Sequence, residues 1–211
     1  MMKNIKQIFL KNTLLLCLSF LFLSCQTEIV FSLQADDSVN ITFEGGSGAA
    51  FSKMISAAAG TEGDFLIDEA SVTYELARAG FSDVKVTQKK NASVRISMSD
   101  KKQNSYLFTS KLLKKEKDSL KAEINPKSLK LFYDSADEQT RMILDLFLSP
   151  VFNDEQMTES EYLEMLASFY GKAAADEVEK SSVKLVLRDK SGKEERVTIP
   201  LAVFLCGNFN Y

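Results

Sequence analysis

Histidine and tryptophan are absent from all 211 residues, and proline and cysteine occur three times each. Without histidine there is no Ser-His-Asp triad, no Cys-His pair and no histidine-ligated zinc. The cysteines exclude a disulfide scaffold, because Cys17 and Cys25 fall within or just after an apolar N-terminal run and Cys206 is left alone. The fold must therefore rest on its core. Positive charge is not in excess either: Lys plus Arg number 26 against 29 Asp plus Glu. Residues 1–24 hold Lys3, Lys6 and Lys11 and no acid, so their removal leaves 23 bases against 29 acids, or −6. Neither balance suits a nucleic-acid binder. With nine Gly, 45% hydrophobic and 26% charged residues, collagen-like, disordered and polytopic membrane chains are excluded as well.

What is present first is a targeting layout. Lys3, Lys6 and Lys11 precede an apolar run from Leu14 to Leu23, interrupted by Ser19 and closed by Ser24-Cys25. That is the order of a signal peptide, and the run is about half the ~20 residues a spanning helix needs. Leu21-Phe22-Leu23-Ser24-Cys25 resembles the lipobox of bacterial lipoproteins, in which a small residue precedes the Cys that becomes the acylated first residue of the mature chain. Phe22 and Leu23 depart from the usual Leu and small residue at those places, a looseness similar to spirochaete lipoproteins. The resemblance covers only residues 1–25 and implies a palmitate-type acyl anchor at Cys25, with Gln26 and Thr27 as a short tether.

The remainder overlays itself when shifted by about ninety residues. Ser38–Glu44 falls on Ser128–Asp134, Met54-Ile55 on Met142-Ile143, Asp68–Ala77 on Thr158–Ala167, Val94–Ile96 on Val183–Leu185 and Asp100-Lys101 on Asp189-Lys190. The expected fold class is α+β: two similar halves, each of antiparallel β-hairpins with a helix pair packed on one face. The halves are residues 28–110 and 118–211, joined by a basic linker at 111–117. One shared sheet and two tandem layers both fit.

Local signals fill in these units. Ile29, Phe31 and Leu33, then Val39, Ile41 and Phe43, alternate on either side of Ala35-Asp36-Asp37 and predict a hairpin. Helices are expected at about 49–58 and after Asp68, the second stopped by Gly80-Phe81. Val84–Val86 and Val94–Met98 are strand-like, with Tyr106–Phe108 a shorter candidate. In the second half Asn125-Pro126 is read as the turn between strands Leu120–Ile124 and Leu129–Tyr133. Ser135 with Glu138 and Thr158 with Glu161 are capping boxes. Met142, Ile143, Leu146 and Phe147 form one apolar stripe, and Leu163, Leu166, Phe169 and Tyr170 another. Asp189–Gly192 joins strands Val183–Leu187 and Arg196–Ile199, and Pro200 precedes a last apolar strand.

Chemical signals are few. Gly45-Gly46-Ser47-Gly48 lies between strand and helix, where backbone N–H groups can hold phosphate, but Phe51 occupies the third glycine place and no Lys-Ser/Thr follows. It reads as a linker. Asp36-Asp37, Glu62-Asp64, Asp68-Glu69, Asp154-Glu155 and Glu159-Glu161 lack the alternate spacing of a calcium loop and sit where turns and helix N-termini favour negative charge. Cys206, within an apolar segment, reads as a buried thiol. No cofactor or metal is expected. Lys101–Lys130 carries nine Lys against three acids, and Asp134–Glu164 nine acids against Arg141. These are either solvated faces that neutralise each other or a basic patch for anionic headgroups.

The expectation for function is a lipid-anchored, non-catalytic protein of a bacterial cell envelope, periplasmic or surface-facing, held to membrane through Cys25, with a binding or structural role and no nucleic-acid partner. A carrier of a small amphiphile or lipid between helices and sheet is the alternative, and a carboxylate-based hydrolase the third. Val151 and Phe152, apolar residues in an otherwise polar connector, are the candidate binding contacts, set against the plainer expectation that they fold onto the core.

Overall fold

The computed structural model describes residues 27–46, 48–50, 52–53, 68–89, 93–135, 141, 145 and 157–207. Through them run β1 (Thr27–Leu33), β2 (Val39–Gly46), α1 (Glu69–Arg78), β3 (Ser82–Lys89), β4 (Ser93–Asp100), α2 (Tyr106–Thr109), β5 (Leu113–Glu116), β6 (Ser119–Ala122), α3 (Pro126–Ser135), α4 (Glu159–Tyr170), α5 (Lys172–Glu179), β7 (Ser182–Arg188), β8 (Glu194–Pro200) and α6 (Leu201–Leu205). The architecture is mixed α+β. Six strands form one sheet in the order β3-β4-β2-β1-β7-β8, and β5 and β6 form a separate pair. Within the large sheet β1 and β7 are parallel and the other neighbours antiparallel.

Period-two alternation gives the sheet one dry face. Ile29, Phe31 and Leu33 of β1 lie opposite Phe43, Ile41 and Val39 of β2, and all six are buried. Ile96 and Val94 of β4 and Val183 and Leu185 of β7 extend that layer on either side. Each such side chain, fully buried, contributes about 1.5–3 kcal/mol. The opposite face carries a row of charges, Arg95, Glu44, Glu28 and Lys184, that are cross-strand neighbours in register.

The helices complete the core. Asp68 caps α1, its carboxylate accepting from the N–H groups of Ala70 and Ser71, and Val72 and Leu76 face inward. The helix ends in a Schellman arrangement: Phe81 N–H donates to Leu76 C=O and Gly80 N–H to Ala77 C=O. Gly80 has φ +97°, and a Cβ there would stand 3.3 Å from the Ser105 Cα, so glycine serves both the cap and the packing. The capping box of Thr158 and Glu161 opens α4, whose Tyr162 and Leu166 are wholly enclosed. Phe169, expected on that stripe, is instead 76% exposed.

Several expected strands are helices. Leu129–Tyr133 lies in α3, and the preceding strand is β6, paired with β5 inside the expected basic linker. Asn125-Pro126 is not a hairpin turn: Asn125 Oδ1 accepts from Ser128 N–H while Ser128 Oγ accepts from Asn125 N–H, a reciprocal N-terminal cap with Pro126 at the first helical position. Tyr106–Phe108 belongs to α2, and the apolar segment after Pro200 is α6. The overlay of the halves fails at Ser128–Asp134, helix where Ser38–Glu44 is strand. Strand pairing differs too, since β2 joins β4 in one sheet while β5–β6 stands apart from β7–β8. Of the expected helix at 49–58, Ala49, Ala50, Ser52 and Lys53 are helical. Met54, Ile55, Glu138, Met142, Ile143, Leu146 and Phe147 lie outside the described residues.

Candidate functional site

Cys25, Val151 and Phe152 lie outside the described residues, as do Glu62, Asp64, Asp154 and Glu155. The glycine stretch can be followed. Gly45 and Gly46 close β2, and just after Gly48 the Ala50 N–H reaches α5, donating to Glu177 Oε1 at 3.0 Å. A Cβ on Gly48 would come within 2.4 Å of the Glu177 carboxyl carbon. The place a phosphate would take is thus held by a carboxylate of the chain itself, and a side chain at Gly48 would displace that carboxylate.

The remaining acids are engaged in turns and pairs. Asp36 accepts from the backbone and hydroxyl of Ser38, which lower its pKa. Asp189 organises its turn through Ser191 and Lys193, and Glu161 is held low by the backbone and side chain of Thr158. Asp100 is fully buried and accepts from the N–H groups of Lys102, Asn104 and Ser105, so its charge is met by backbone donors. Among the described residues no three His, Cys, Asp or Glu side chains gather closely enough to hold a metal ion. A juxtaposition of acids that the sequence hides is Glu28 opposite Glu44. Both stand on the open sheet face, Glu28 paired with Lys184 at 2.5 Å and Glu44 with Arg95 at 3.8 Å.

The densest electrostatic contact joins three turns. Asp37 Oδ1 lies 2.6 Å from both Lys115 Nζ and Lys190 Nζ, and Lys190 also approaches Asp118 at 3.6 Å. Gln103 donates to the Asp37 carbonyl, and Lys190 N–H to the Asp118 carbonyl. Hydrogen bonds from the two ammonium groups bring the Asp37 pKa down from 3.8 to about 2. No linear motif announces this contact, since its members come from the β1–β2 turn, from β5 and the turn after it, and from the β7–β8 turn. Part of the lysine-rich segment is paired with acids: Lys101 with Asp83 at 2.8 Å, and Lys114 and Lys121 both with Glu123, at 2.6 and 3.5 Å. Among the described residues these partners are local acids or Asp37.

Cys206 is buried and unbridged, its thiol 3.5 Å from the Val203 carbonyl. Beside it, enclosure of Tyr162 pushes the phenol pKa upward, chiefly through desolvation. Both groups are core.

Registers define two ends of the sheet. Thr27, Gly46, Ser93, Ser182 and Pro200 lie at one, and Leu33, Val39, Asp100, Arg188 and Glu194 at the other. The three-turn contact is at the second end. No family model, curated protein or solved structure matches the chain.

Proposed function

We propose that the protein is a lipid-anchored, non-catalytic component of a bacterial cell envelope, acylated at Cys25 and working as a binding or structural module. The observation that carries this reading is the order Lys, short apolar run, Ser24-Cys25, followed after Gln26 by the first residue of β1. A signal segment that ends where the fold begins suits a processed chain with its anchor at the boundary. The non-catalytic part is supported by the engagement of Asp36, Asp37, Asp68, Asp100, Glu161 and Glu177 in caps and pairs. Against the amphiphile carrier stands the filling between helices and sheet, where Tyr162, Leu166, Val72, Ile41, Phe43 and Leu205 are all buried. Cys25→Ala should move the protein from the detergent phase to the aqueous phase and abolish acyl labelling. A wild-type chain with no acyl group on Cys25 would sink the reading.

A further inference from the structure

The position of the anchor residue relative to the sheet fixes more than attachment. Cys25 is followed by one intervening residue, Gln26, and then by Thr27, the first residue of β1. At most ~3.3–3.6 Å per residue, the two steps from Cys25 to Thr27 reach ~7 Å. β1 does not lie at an edge that could peel away: β2 flanks it on one side and β7 on the other. The start of β1 therefore cannot leave the sheet to lengthen the tether without breaking pairs on both sides. We infer that the end of the sheet formed by Thr27, Gly46, Ser93, Ser182 and Pro200 is the surface that meets the lipid head groups, with the strands rising from the bilayer. This rests on the anchored reading above.

The seven residues of β1 span ~20 Å at ~3.3 Å per residue, so the opposite end stands about that much farther from the membrane. That end holds Asp37, Lys115 and Lys190 and the turn at Asp189–Gly192. The lysine-rich hairpin β5–β6 is thus turned away from the bilayer, and its ammonium groups meet Asp37 and Glu123. The occupant of the anchor end is the head-group layer itself, held there by a covalent tether rather than by charge. Exposed Lys180, which caps the C-terminus of α5 just before Ser182, faces that layer.

Single engineered thiols test the orientation in the acylated full-length protein. Cys17 leaves with the signal segment when Cys25 becomes the acylated first residue, Cys206 is buried, and an acylated Cys25 carries no free thiol, so an added cysteine labels selectively. Lys180→Cys at the anchor end and Lys193→Cys at the far end would each carry a small fluorophore, with the protein reconstituted in phosphatidylcholine vesicles containing nitroxide-headgroup lipid. The dye at 180 should lose most of its emission while the dye at 193 keeps its own, and high salt should leave the contrast unchanged because the tether is covalent. Equal quenching at both places, stronger quenching at 193, or none at either, in protein shown to be acylated and membrane-bound, overturns the orientation but spares the anchor. Absence of acylation removes the anchored reading and the orientation together. A circular dichroism spectrum matching wild type ensures that each labelled variant reports the native fold.

Discussion

The first two hairpins lie side by side, β2 against β4, whereas the third, β5–β6, stands outside the sheet and only the fourth, β7–β8, returns to it through a parallel contact with β1. Similar apolar spacing in the two halves of the chain therefore leads to different structure. Val39-Asn40-Ile41-Thr42-Phe43 and Leu129-Lys130-Leu131-Phe132-Tyr133 both carry repeated apolar residues, but the first is rich in β-branched side chains and the second has none. In the second, burial falls on Leu129 and Phe132, three apart, while Leu131 is 42% exposed. Unbranched residues lose little rotamer freedom in a helix, and Asn125, Pro126 and Ser128 supply its start. Local chemistry at the ends decided what spacing alone left open.

The sharpest way to break this comparison is to test whether the halves are energetically separate. Phe43 is buried in β2, next to Ile29 of β1, which in turn pairs with Leu185 of β7. Phe43→Ala should cost about 3–5 kcal/mol, as large-to-small core changes do. Because one sheet joins the halves, amide exchange should quicken in β7–β8 as much as in β1–β2. Loss of protection confined to residues 27–100 would instead mean two independent units.

A middle-sized effect sharpens the point about helix starts. Asp68→Ala in the first half and Asn125→Ala in the second each remove an N-terminal cap and should each lower stability by about 1 kcal/mol in chemical unfolding. If Asn125→Ala instead left stability unchanged, the start of α3 would have to be specified elsewhere.

The smallest effect concerns the contact that ties the halves at the far end, where Asp37 of the first half meets Lys115 of the expected linker and Lys190 of the second half. Its folded pKa, about 2, is below its ordinary 3.8, so the contribution is present above 3.8 and fades as pH falls toward 2. Urea midpoints of wild type and Asp37→Asn should differ by a small, constant amount at neutral pH and converge between pH 3.8 and 2. Salt should shrink the difference, as the side chain is half exposed. A gap that persisted at pH 2 would assign the effect to something other than charge.

Much of the fold was legible where local signals agreed. The β1–β2 and β7–β8 hairpins, α1 with Asp68 and Gly80, and α4 with its capping box all follow from alternation, turn residues and caps in the linear sequence. Tyr106–Phe108 and Leu201–Leu205 were misleading because a run of three to five apolar residues fits a buried helix turn as well as a strand. The parallel β1–β7 contact left no sign, since its partners lie more than 150 residues apart. Neither did the Asp37 contact or the approach of Glu177 to Gly48, both of which depend on distant segments arriving at one place. Cys25, by contrast, is a purely local proposal, made by the residues before it.

The place of β1 in the sheet has a mechanical side. A pull between a membrane-held Cys25 and a partner gripping the turns at the far end would run along β1, with six residue pairs to β2 and six to β7 opposing it. Such loading is shear: the rungs share the force and fail together, whereas an edge strand such as β8 pulled sideways would open one rung at a time. Anchoring at Cys25, as proposed, would hold the chain by an interior strand, the geometry that best keeps it folded under tension.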